Sequence, residues 1–241
     1  MLKLDRYPLI NSPLPTHRGF LGIVILSLCV AFVPAVLASG GGGGGGFDAS
    51  GVSGDADRGP TPEQKAQRAY NKGLKYRKDA LKYEDKATAA TEDKDREKQQ
   101  KYAKEAWDDA IAQYKKAIGY DATLYQAMNE LGYALRKSGD YKGAIEAYNK
   151  ALGLQSDYAP AIEYRGEAFL LMQSFADVKD AYVRLVKLDH DQATLLLTAI
   201  KQWLAAHADV STDEAKAFAQ WVAERNDLAQ LLPGSAHAWA P

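Results

Sequence analysis

The chain has 241 residues, 46% hydrophobic and 25% charged, with a net charge of −1. That composition excludes a disordered chain, a collagen and a multi-span membrane protein, and leaves room for one or two domains with a core. The charge balance gives no long-range pull toward nucleic acid or an acidic membrane, and the single cysteine, Cys29, forms neither an internal disulfide nor a cysteine-based zinc site.

Residues 1–38 read as a targeting segment. Lys3, Arg6, His17 and Arg18 precede an uncharged run from Phe20 to Ala38, which ends in small or compact residues at Val36 and Ala38. Basic start, apolar middle and small-residue exit form a secretory signal peptide. The alternative is an uncleaved anchor, because the uncharged run is long enough to span about 30 Å of hydrocarbon. Pro34 and the small-residue exit favour cleavage. Leu26-Ser27-Leu28 ahead of Cys29 is not a lipoprotein signal. Loss of 1–38 removes three basic residues and one acidic residue and leaves a net charge of −3 without cysteine.

Residues 39–60 contain seven glycines from Gly40 to Gly46, then more Gly, Ser and Asp. Such a segment buries too little apolar surface to offset its chain entropy, so a disordered, flexible tether is expected. It lacks the Gly-Lys-Ser/Thr ending of a phosphate loop.

From Thr61 to about Leu232 the chain is rich in Ala, Leu, Lys, Glu and Gln, and no alternating stretch suggests a strand. The expected fold class is all-α. Thr61-Pro62-Glu63-Gln64 forms a helix start with a capping box. Positions 34 apart then match in type: Trp107, Tyr141 and Phe175; Ala110, Ala144 and Val178; Tyr114, Tyr148 and Tyr182; Ala117, Ala151 and Leu185; Gly132 and Gly166. A 34-residue period of two helices marks a stack of helical hairpins.

The run Leu131-Gly132, Gly139-Asp140-Tyr141, Ala144, Tyr148, Ala151-Leu152 resembles the tetratricopeptide (TPR) repeat. Residues 125–158 form the best copy. A second copy, 159–192, keeps Gly166, Phe169, Phe175 and Tyr182, but has Arg165 where Leu is usual and Gln173-Ser174 where Gly-Asp is usual. A third, irregular copy spans 61–124. Its first helix, about 61–86, carries Gly73 and Tyr76 in the signature places. Its second helix is about 97–119. Gly73 and Gly132 lie 59 residues apart, 25 beyond one period, so this hairpin carries a charged insertion, about 82–104. The insertion reads as two helices that extend past the repeat body and join near 88–95. It is either a solvated arm or a projecting contact surface.

Packing logic assigns Gly132 and Gly166 to close helix approach, and buries Tyr148 and Tyr182 against the neighbouring repeat. Residues 193–232 are expected to cap the stack, followed by a tail at 233–241. In 193–206, Leu195, Leu196, Ile200 and Leu204 share one face, with Trp203 flanking it. In the last helix, Ser211 and Glu214 suggest a capping box ahead of the apolar face of Ala215, Phe218, Ala219, Trp221, Val222, Leu228 and Leu231. That helix either packs back on the domain or supplies a dimer face.

The sequence holds no catalytic signature: no Gly-x-Ser-x-Gly elbow, no His-Glu-x-x-His and no nucleotide-binding glycine motif. His190, His207 and His237 lack metal-ligand spacing, and His190 is expected in a surface loop. The expectation is no enzyme, no cofactor, no metal and no nucleic acid, with a protein as partner. The resemblance implies a concave groove lined by first helices of the hairpins. Its groove positions fall on Gln126, Asn129, Tyr133, Arg136 and Lys137, then on Glu163, Glu167 and Leu170, with Tyr164 nearby. Only Asn129 and Arg136-Lys137 match the family's carboxylate-gripping clamps, and Glu163 and Glu167 repel a carboxylate. The expected ligand is an extended peptide or helix of mixed charge. The other reading of these residues is an ordinary polar surface.

The whole pattern resembles the small signal-bearing TPR proteins of bacterial envelopes. That resemblance implies an exported, periplasmic adaptor. The alternative is a membrane-anchored structural component of an envelope secretion or pilus assembly, in which 20–38 remains in the inner membrane. Membrane contact follows only in that second case.

Overall fold

The computed structural model describes residues 59–209 and 212–231. The leader or anchor, most of the glycine-rich tether and the tail lie outside the described residues. Those described form helices α1 (Pro62–Ala89), α2 (Asp93–Tyr120), α3 (Tyr125–Lys137), α4 (Tyr141–Leu154), α5 (Ala159–Leu171), α6 (Phe175–Leu188), α7 (His190–Ala206) and α8 (Asp213–Leu231), with no strand among them. Consecutive helices pair as hairpins that stack in register, which is the all-α TPR-type repeat fold. No described helix is long and apolar enough to cross a membrane.

Local chemistry sets the helix ends. The Thr61 hydroxyl accepts from Gln64 N–H, and the Gln64 side chain accepts from Thr61 N–H, as the capping box requires. Asp140 caps α4 by accepting from Gly143 N–H, and Asp189 caps α7 by accepting from Gln192 N–H. At α8 the cap is the Thr212 hydroxyl, which accepts from Ala215 N–H. The helix starts one residue later than a Ser211 cap would place it, and Ser211 lies outside the described residues. The α3–α4 turn passes through Gly139 at φ +86°, and the α5–α6 turn passes one period later through Gln173 at φ +58°. A side chain in this left-handed region costs about 1–2 kcal/mol. Ser174 makes no cap bond either; its hydroxyl donates to Asp177 instead. The second turn is therefore the weaker of the two.

The hairpins close through one repeated contact. A Cβ on Gly132 would lie 2.6 Å from the Tyr148 ring, and one on Gly73 would lie 2.5 Å from the Tyr114 ring. Both tyrosines are fully buried. The third hairpin departs from this. The space at Gly166 is filled by Leu196 of α7 and Ala181 of α6. Tyr182 is half-buried and meets Trp221 of α8 edge-on, 5.6 Å between centroids. The reason is its neighbour: behind α5 and α6 stands a cap of different sequence, and its leucine reaches the gap first.

The first hairpin is the long one. At 28 residues each, α1 and α2 run about 42 Å, roughly twice the length of α3 or α5. Buried Ala66, Gly73, Ala80 and Ala87 recur every seven residues along α1, and Ala103, Ala110 and Ala117 do so along α2. Small residues at that interval keep two antiparallel helices close over their whole length. The turn at 90–92 is tied by Arg96, which donates to the Ala90 carbonyl and pairs with Asp93. Most of the charged insertion is exposed. Glu84 is different: it accepts from the Trp107 indole at 2.8 Å and pairs with Lys137 of α3 at 2.7 Å, anchoring the arm to the next hairpin.

The cap begins earlier and faces differently than its sequence suggested. Helix α7 starts at His190, so a repeat boundary at 192 cuts into it, and exposed His190 is its first residue rather than a loop residue. Its buried face is Ala193, Leu196, Ile200 and Trp203; Leu195 points outward at 38% exposure. Trp203 turns inward because α8 completes an aromatic cluster there. Phe175 lies 5.4 Å from Trp203 and stacks on Phe218 at 4.5 Å, and His207 stacks on Trp203 at 4.3 Å. The buried Ala215, Phe218 and Val222 show that α8 packs back on the domain.

Two substitutions separate these effects. Gly132→Ala is expected to cost about 1–3 kcal/mol by overpacking against Tyr148. Gln173→Gly is expected to gain up to about 1 kcal/mol by relieving the left-handed turn. Urea denaturation followed by far-ultraviolet circular dichroism measures both, and equal midpoints for all three proteins would contradict the packing argument.

Candidate functional site

Residues three and four apart share a helix face, so α3 presents Gln126, Asn129, Tyr133, Arg136 and Lys137 along one side. On α5 the same spacing presents Glu163, Glu167 and Leu170. Counting from the close-approach glycine extends the row. Asn129, Tyr133 and Arg136 lie at −3, +1 and +4 from Gly132, and the same offsets from Gly73 give Tyr70, Leu74 and Arg77 on α1. Sequence reasoning alone does not reach these three or Glu130 of α3, although Gly73 marks the place of the first three in the irregular hairpin.

Tyr133 is the centre of the arrangement. Its ring lies 4.5 Å from the Arg77 guanidinium, 5.1 Å from the Tyr164 ring and 5.7 Å from Trp107. Arg136 reaches over both Tyr133 and Tyr164, at 5.3 and 5.6 Å. The cations have partners within the chain. Arg77 donates to Glu130 at 2.9 Å, Arg136 pairs with Glu167, and Lys137 pairs with Glu84. The Tyr114 hydroxyl sits against the same Glu130 carboxylate. Each pair joins two hairpins, so the polar row also locks the stack.

Burial sorts the expected site residues. Asn129, Glu163 and Leu170 are 1%, 2% and 3% exposed, and form the floor. Gln126, Tyr133, Arg136 and Glu167 are half-buried, as are Tyr164 and Arg77. The structure thus brings the residues of α3 and α5 together, but leaves less of them accessible than a surface reading implies. In the floor, Asn129 Oδ1 and one Glu163 oxygen are buried without a hydrogen-bond partner. Burial and then the adjacent Glu167 charge push the Glu163 carboxyl up to about 9, against the opposing pull of Arg136. Glu163 therefore holds a proton at neutral pH. With Glu163 neutral and three cations matched to three carboxylates, these groove charges sum to zero.

Among the described residues no group of His, Cys, Asp or Glu is placed to hold a metal ion. The His207 Nδ1–H donates to the Trp203 carbonyl at 2.8 Å at the C-terminal end of α7; His237 lies outside the described residues.

Comparison with known proteins agrees with the repeat. A family model described as a TPR repeat matches residues 132–173. No curated protein matches the chain. Among solved structures, the chain is similar to the first TPR of Spaghetti (RPAP3) bound to an HSP90 peptide, with 24% identity and a TM-score of 0.45 over 60% of this chain and 97% of that one. The first TPR domain of human RPAP3 shows 23% identity and a TM-score of 0.46, over 62% and 98% of the two chains. MamA shows 21% identity and a TM-score of 0.40, over 68% and 89%.

The buried carboxyl has a pH signature. Its value in the folded chain lies above the ordinary 4.5. Between those two values the folded state binds more protons than the unfolded state, so stability falls as pH rises through that window. Glu163→Gln is expected to raise the melting temperature at about pH 8 and to leave it nearly unchanged at about pH 4, where the native acid is protonated in both states. Melting curves across the window test this; a substitution that destabilises equally at both ends would refute the assignment.

Proposed function

We propose that the chain is a non-catalytic protein-binding adaptor that holds an extended peptide or a helix of a partner in the concave face of α1, α3 and α5. Stacked hairpins present extended concave surfaces suited to such ligands. The observation that carries the reading is that Arg77, Arg136 and Lys137 are matched to Glu130, Glu167 and Glu84, while Tyr133 and Tyr164 stay half-buried at the surface. Arg77, Arg136 and Lys137 are thus not left unmatched for an acidic tail. The face offers ring surface and neutral polar groups, which fit a ligand of mixed or no net charge. The same matched charges argue against nucleic acid.

The adaptor works in the bacterial cell envelope, exported by residues 1–38 and tethered or extended by 39–60. The basic start, apolar run and small-residue exit support export. Edman sequencing of protein purified from cells distinguishes the soluble form, which starts at Ser39, from an anchored form that retains Met1.

The groove is tested in intact cells by a photo-crosslinking amino acid placed at Gln126, or at Lys150 on the exposed side of α4. Partner adducts are expected from Gln126 and not from Lys150, and Tyr133→Lys is expected to reduce them about tenfold or more, the cost of losing a central aromatic contact. Equal adduct patterns from both positions would overturn the groove assignment.

A further inference from the structure

Arg165, the departure from the repeat pattern, is not used by the groove. On α5 it lies about half a turn away from Glu163, Glu167 and Leu170. With Phe169, Asn149 of α4, and Asp177, Asp180 and Arg184 of α6, it lines a separate cleft of about 340 Å³. Arg165 Nη1 donates to Asn149 Oδ1 at 2.6 Å, and the guanidinium lies 5.7 Å from the Phe169 ring. Its Nε–H is buried without a partner, and among the described residues it forms no ion pair. Arg184 is only loosely matched: it donates to the Ser156 carbonyl and reaches Asp157 at 3.5 Å. Asp177 is engaged by the Ser174 hydroxyl at 2.6 Å.

A half-buried guanidinium whose hydrogen-bonding capacity is unfilled calls for an anion. Burial, and then the neighbouring Arg184 charge, pulls Arg165 below its ordinary value against the opposing effect of Asp177. We propose that this cleft is a second binding site, which takes a carboxylate side chain from an acidic peptide segment between Arg165 and Arg184. A planar monoanion suits the guanidinium forks, whereas Asp177 and Asp180 in the lining disfavour a dianion such as phosphate. The proposal is independent of the concave groove and gives the adaptor two faces of different chemistry.

The probe is acetyl-Glu-Glu-Glu-amide, titrated into the full chain carrying nitrogen-15 arginine, with the guanidinium signals followed by nuclear magnetic resonance. Acetyl-Gln-Gln-Gln-amide and inorganic phosphate serve as comparison titrants. The acidic peptide is expected to shift the Arg165 and Arg184 signals saturably, with an affinity about tenfold or more above that of the glutamine peptide. Arg165→Lys and Arg165→Leu, both checked for unchanged helicity, are each expected to weaken binding about tenfold. Equal response to the two peptides overturns the proposal. So does unchanged affinity in both variants, saturation by phosphate at lower concentration than the peptide, or shifts confined to Arg77 and Arg136 of the groove.

Discussion

A tyrosine ring laid on a helix that has no Cβ is the contact on which the stack depends. Tyr148 over Gly132 and Tyr114 over Gly73 bring the two helices of a hairpin close while burying a large ring completely. Close approach lets Ala110, Ala117, Ala144 and Ala151 seal the remaining gap, all fully buried. Because the contact recurs at the same place in the first two hairpins, their first helices line up side by side. The row of Tyr133, Arg136 and Tyr164 is a consequence of that alignment. At the third hairpin the contact changes hands, and Leu196 of the cap fills the space at Gly166.

Electrostatics in the row follows from burial. Charged groups withdrawn from water need partners, and the structure supplies them between hairpins: Arg77 to Glu130, Arg136 to Glu167, Lys137 to Glu84. Glu163 has no cation of its own and answers burial by keeping its proton. The pairs hold register between repeats, and they leave ring faces as the contact surface. Arg165 is the contrast. It is partly withdrawn from water, bonded to a neutral amide, and next to another cation. Among the described residues Arg165 forms no ion pair of its own.

Arms and caps also trace to small differences in spacing. Two seven-residue series of Ala and Gly hold α1 and α2 together well beyond the repeat body. Glu84 converts part of a charged, exposed arm into a brace by joining Trp107 and Lys137. At the other end, stacked and edge-on ring contacts among Phe175, Trp203, Phe218 and Trp221 fasten α8.

The 34-residue interval, the capping box at Thr61 and the extended first hairpin were legible in the chain itself, because each depends on neighbours within one hairpin. So were the helix faces that Gln126, Asn129, Tyr133 and Arg136 share on α3 and that Glu163, Glu167 and Leu170 share on α5, which follow from helical spacing. What the linear pattern could not supply was the identity of the neighbour across a hairpin boundary. Tyr182 aligns with Tyr148, yet it meets Trp221 because a cap, not another repeat, lies beside it. Leu195 and Trp203 exchange the roles their helical spacing suggested, since α8 decides which face of α7 is covered. Asn129 and Glu163 read as exposed polar groups but lie in the floor, and their burial is set by helices distant in sequence. Local periodicity determined the hairpins; the depth, charge and partners of each side chain were decided by which surfaces came together.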